Sequence, residues 1–101
     1  MAERIRGALQ DRPAPLPSLE AMAEKLSVSP RTLKRHLQQS GLSYRQLQDE
    51  ERYRQAQRLL AQPDNSISEV AYALGYNDVA NFSKAFKRWS GATPRAYREQ
   101  R

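Results

Sequence analysis

Three cations, Arg31, Lys34 and Arg35, stand on a stretch whose apolar members, Leu33 and Leu37, recur at one helical turn. All three lie off that apolar side, near the start of the helix, where they suit an anionic partner. A second stretch, Asp78-Val79-Ala80-Asn81 followed by Ser83 and Lys84, is chemically different: small apolar groups, an amide, one cation and one acid. Catalysis finds little to use. His36 is the sole histidine, cysteine is absent, no glycine-rich phosphate loop occurs and no pair of acids flanks a plausible cleft. Asp49-Glu50-Glu51 falls mid-helix and is most simply a solvated face. The residues imply no catalytic set, no metal site and no cofactor.

The charge balance agrees. Seventeen Lys+Arg against eleven Asp+Glu give a net charge of +6 and a pI near 10.1. Such a balance suits a polyanion, because each neutralised phosphate releases condensed counterions. No apolar run approaches the roughly 20 residues a membrane-spanning helix needs, and the charged start Ala2-Glu3-Arg4-Ile5-Arg6 is unlike a secretory signal. A chain without cysteine suits a reducing cytoplasm.

The elements that must position these residues are helical throughout. Arg4 to Gln10 forms a short helix, which the prolines at 13, 15 and 17 break. Ser18 caps a helix with Leu19, Met22, Ala23 and Leu26 on one side; Ser29-Pro30 opens the helix of Arg31, Lys34 and Arg35, and Gly41 ends it. The longest helix runs from Ser43 to about Gln62 and stops at Pro63-Asp64-Asn65. Ser66 caps a helix with Ile67, Val70, Ala71 and Leu74; Asn77 or Asp78 caps the next, with Phe82, Phe86 and Trp89 inward; Gly91 closes it and Thr93-Pro94 starts a last helix through Tyr97. No strand alternation occurs. The expected fold is all-α, with about seven helices: two helix-turn-helix subdomains joined by a long central helix, divided as 1–42, 43–62 and 63–101.

That duplication is visible as a repeat. Leu19, Met22, Ala23, Leu26 and Val28 match Ile67, Val70, Ala71, Leu74 and Tyr76 at an offset of 48, and Leu33 and Leu37 match Phe82 and Phe86 at 49. Each copy has the layout of a helix-turn-helix. Ala23 and Ala71 sit where two helices approach closely, and Val28 and Tyr76 plug the corner. The turn asks for a residue tolerant of positive φ; Gly75 supplies it, while Ser27 departs from it and predicts an adjusted first turn.

These residues resemble the DNA-binding domain of the AraC/XylS family of bacterial regulators. The second copy carries Ile67-x-x-Val70-Ala71-x-x-Leu74-Gly75-Tyr76, then Asn81-Phe82-Ser83-Lys84-Ala85-Phe86-Lys87-Arg88-Trp89-x-Gly91-x-Thr93-Pro94-x-x-Tyr97-Arg98. The first copy contributes Ser18-Leu19-Glu20-x-x-Ala23 and Ser29-Pro30-Arg31-Thr32-Leu33-Lys34-Arg35, and the central helix Arg52-x-x-x-Ala56-x-x-Leu59-Leu60. The likeness spans about Ile5 to Arg98. It implies that the second helix of each unit enters one of two neighbouring major grooves of duplex DNA, about 34 Å apart.

By family position, Arg31, Lys34 and Arg35 are candidates for base contact, since an arginine there can pair with guanine. In the second unit Val79 and Ala80 can meet thymine methyls, Asn81 an adenine or a phosphate, and Lys84 either. Asp78 would repel phosphate, so helix capping is its expected role. The first unit is thus the expected main reader. Phosphate candidates are Arg45, Lys87, Arg88 and Arg95, with the helix N-termini at Ser18, Ser43, Ser66 and Thr93. Phe82, Phe86, Trp89 and Tyr97 are expected in the core, and Arg52 and Arg98 as structural ion-pair partners of Glu50 or Glu51. The resemblance further implies transcription activation through RNA polymerase, and an effector or dimerisation domain elsewhere in a longer parent chain. Rival readings are an enzyme, a non-specific architectural or RNA-binding domain, and a protein-interaction domain.

Overall fold

Six of the helix starts are set locally by a side chain that takes the third free backbone N–H. Ser18 accepts from Ala21 at 3.1 Å, Ser29 from Thr32 at 3.0 Å, Ser43 from Gln46 at 3.2 Å, Ser66 from Glu69 at 3.0 Å, Asp78 from Asn81 at 2.7 Å and Thr93 from Ala96 at 3.1 Å. The side chains of Gln46 and Glu69 reach back to the N–H of Ser43 and Ser66, completing two capping boxes. In the computed structural model, which describes residues 1–10, 12 and 15–100, seven helices result. They are α1 (Ala2–Leu9), α2 (Leu19–Lys25), α3 (Pro30–Gln39), α4 (Tyr44–Leu60), α5 (Ile67–Ala73), α6 (Val79–Ser90) and α7 (Pro94–Glu99). No strand occurs among the described residues. Of the segment expected to break the first helix, Asp11, Pro13 and Ala14 lie outside them.

Two compact units form, Met1–Glu51 and Arg52–Arg101. The first buries Ile5, Leu9, Leu16, Met22, Ala23, Leu33, Leu37, Tyr44 and Leu47. Each such aliphatic side chain contributes about 1.5–3 kcal/mol on burial. The Tyr44 hydroxyl and the Gln48 amide both donate to the carbonyl of Pro17, at 2.6 and 3.0 Å, tying the segment before α2 to α4. Arg6 of α1 bridges Glu3 and, at 3.0 Å, Glu50 of α4.

The second unit buries Ala56, Leu60, Val70, Ala71, Leu74, Phe82 and Phe86, with Tyr53, Tyr76, Trp89 and Tyr97 packed around them. Phe86 is the hub: its ring lies 5.2 Å from Tyr97, 5.6 Å from Tyr53, 5.9 Å from Phe82 and 6.3 Å from Trp89. Such edge and tilted contacts add about 0.5–1.5 kcal/mol each beyond burial. The expected aromatic core is therefore present. Arg98 departs from expectation: it donates to the carbonyls of Leu60 and Gln62, at 3.2 and 3.4 Å, rather than to a carboxylate. A cation there meets the unpaired carbonyls at the end of α4. Glu50 is taken by Arg6.

Candidate nucleic-acid interface

The link between α2 and α3 and that between α5 and α6 are one turn built twice. Ser27 N–H donates to Glu24 and Val28 N–H to Ala23, at 3.1 and 3.0 Å; Gly75 N–H donates to Tyr72 and Tyr76 N–H to Ala71, both at 3.0 Å. Leu26 and Leu74, which precede the turn residues, share φ −89° and ψ 1°. Ser27 has φ +60° and Gly75 φ +91°. The expected adjustment of the first turn is absent. Ser27 is held in the left-handed region instead, because Met22 and Ala23 before it and Leu33 after it are wholly buried and leave the chain no other path.

This turn delivers α3 and α6 with one side buried and the other bare. On α3, Leu33 and Leu37 face inward, while Arg31, Lys34 and Arg35 are exposed. At about 100° per residue the three fall within one arc of about 100° off the Leu33/Leu37 side, with Lys34 at the edge nearer Leu37. So does Gln38, which the sequence reading passed over. The four stand at i, i+3, i+4 and i+7. His36 is exposed, outside that arc.

On α6, Phe82, Ala85 and Phe86 face inward. The repeat offset of 49 pairs Arg31 with Ala80, Lys34 with Ser83, Arg35 with Lys84 and Gln38 with Lys87. Ala80, Lys84 and Lys87 are exposed and Ser83 half-exposed. Two of the expected readers stand differently. Val79 is partly buried against the core of its unit. The Asn81 amide donates to the second oxygen of Asp78 at 3.2 Å, so Asp78 caps the helix and holds Asn81 as well. By that offset Ser83 and Lys87 stand at the places that Lys34 and Gln38 hold on α3.

The phosphate candidates cluster at helix ends. Arg45 and Arg95 are exposed in the first turns of α4 and α7, where no acid offsets the positive end of the helix. A cation at that end is locally unfavourable without an anion to share. α3 is alike, with Arg31 and no acid in its first turn. α1, α2 and α5 carry Glu3, Glu20 and Glu69 there. Lys87 and Arg88 are exposed in the last turn of α6. Among the described residues, no group of acids, histidines or cysteines could hold a metal ion.

Comparison with known proteins agrees with this geometry. Residues 22–100 match the family model described as a helix-turn-helix domain. An ornithine utilization regulator of Pseudomonas aeruginosa is 42% identical over 96 residues, which are 95% of this chain; the chain spans 28% of that relative's length. A DNA-binding transcriptional dual regulator from Escherichia coli K-12 superposes with a TM-score of 0.92 at 32% identity, over 99% of this chain and 96% of that one. The DNA-binding domain of AdpA, a global transcriptional factor solved with a target DNA, gives 0.75 at 28% identity, over 98% and 90%. The tandem helix-turn-helix units and these likenesses together make the chain a member of the AraC/XylS family, matching its DNA-binding domain.

Proposed function

We propose that the chain is a sequence-specific binder of double-stranded DNA and the DNA-reading part of a bacterial transcription activator. The observation that carries this is the pair of bare helix sides that two turns with the same backbone hydrogen bonds present, one lined by Arg31, Lys34 and Arg35. A helix-turn-helix places such a side against base edges, while phosphate contacts fix its register. Arg31, Lys34 and Arg35 read bases, an arginine there being worth about 1–3 kcal/mol of discrimination at a guanine. Ala80 and Lys84 give weaker readout in the second unit, with smaller parts for Val79 and Asn81. Arg45, Lys87, Arg88 and Arg95 grip the backbone. The stretch 43–62 connects the two readers, which occupy successive major grooves.

Activation through RNA polymerase, and an effector or dimerisation domain in a longer parent chain, complete the reading. A cytoplasmic site of action follows from the partner, since a bacterium keeps its DNA there. No helix among the described residues is long and apolar enough to cross a membrane. Among the described residues, the exposed side chains form no group that calls for catalysis.

Selection of bound duplexes from a random library is the direct test. A split, non-palindromic motif with two parts about one helical turn apart supports reading by both units. One short motif leaves a single reader. Failure to shift any duplex, even at low salt, turns the reading toward a protein-interaction domain.

A further inference from the structure

We propose that Gln38 is a fourth base-reading residue of α3, specific for adenine; this rests on the DNA-binding reading above. Its position is the first ground. Arg31, Lys34, Arg35 and Gln38 stand at i, i+3, i+4 and i+7, within one arc of about 100° of the helix surface, off the buried Leu33 and Leu37. That is the spacing by which a homeodomain reads the major groove from one helix. The rise of about 1.5 Å per residue spreads the four over roughly 10 Å. A groove about 12 Å wide can face all of them at once.

Its chemistry is the second ground. A glutamine amide offers one donor and one acceptor at the distance that matches adenine N7 and N6, whereas the arginines match guanine. The third ground is that the amide is unspent. The amides of Gln46, Gln48, Gln57 and Asn65 are bound to the protein, but no described residue takes that of Gln38, and the residue is exposed. A free polar group beside three cations is ready to pair with a base without first breaking an internal bond.

The neighbouring Gln39 supplies the control. It is the same residue type, also exposed and helical, but about 100° further round the helix than Gln38 and about 90° from the middle of that arc. Both substitutions lie on the surface, so the fold is not at stake. The full chain and its Gln38→Ala and Gln39→Ala variants are each put through selection from a random duplex library. Gln38→Ala is expected to lose an adenine preference of about 10-fold or more at one position of the half-site read by α3, with the other positions kept. Gln39→Ala is expected to select the parent motif. A Gln38→Ala motif identical to the parent's overturns the proposal, and so does an affinity loss spread evenly over all sequences, which marks a backbone contact. If the unchanged chain selects no motif at all, the DNA-reading assignment itself has failed. A parent motif that Gln38→Ala leaves intact removes the adenine contact alone.

Discussion

The two helix-turn-helix units share one backbone turn and differ on both of its sides. Inside, the first unit is mostly aliphatic, built on Met22, Leu33, Leu37 and Leu47, whereas the second gathers aromatic rings around Phe86. Outside, Arg31, Lys34, Arg35 and Gln38 stand where the second unit has Ala80, Ser83, Lys84 and Lys87. What the two keep in common is small: an alanine at the close helix approach, a left-handed residue four positions on, and a plug after it. The turn constrains these few positions through sterics and leaves the bare side of the second helix unconstrained. That freedom lets one scaffold carry two different exposed helix sides.

The largest way to break the comparison is through the cores. Phe86→Ala should cost about 3–5 kcal/mol by urea unfolding, above the about 2–5 kcal/mol range of Leu37→Ala at its typical middle, since Phe86 also loses four ring contacts. A smaller loss for Phe86→Ala would show that the aromatic core adds nothing over the aliphatic one.

The reading sides come next. Arg35→Ala should lower affinity for the selected site by about 1–3 kcal/mol and relax one base position. Lys84→Ala, at the equivalent place, should cost less and weaken specific and random DNA more evenly. Titrations of both on specific and random duplexes decide it, and a larger loss of specificity from Lys84→Ala reverses the ranking of the units.

The turns offer a smaller and sharper contrast. Ser27 holds φ +60°, a conformation that costs a residue with a Cβ about 1–2 kcal/mol. Ser27→Gly should recover about 1 kcal/mol, while Gly75→Ala should lose a similar amount. Opposite signs in thermal unfolding are the expected result; equal signs would mean the two turns are not under the same constraint.

The smallest effect concerns the caps. Glu69 is held below the usual carboxylate range, first by the N–H of Ser66 and then by its hydroxyl. Its stabilisation is therefore complete above the unfolded value of about 4.3 and disappears as pH falls through the lower folded value. The equivalent residue in the first unit is Ala21, which cannot titrate. Acid unfolding of Glu69→Gln should show a shallower loss of stability below about pH 4.5 than the parent; an unchanged slope would exclude this cap from the acid response.

Much of this was legible in one dimension because it is local. Helix starts at Ser18, Ser29, Ser66 and Thr93 follow from side chains that satisfy backbone groups three residues away, and the stop at Gly91 from a residue without a Cβ that takes φ +85°. The duplication is equally plain at an offset of 48, since equivalent core positions need equivalent apolar residues. Only the tertiary structure decided the rest. Ser27 takes a left-handed turn because the buried helices on either side outweigh its local preference. Val79 sinks partly into the core, and Arg98 chooses the free carbonyls at the end of α4 over an acid. Each of these choices depends on packing or partners that residue type and spacing do not state.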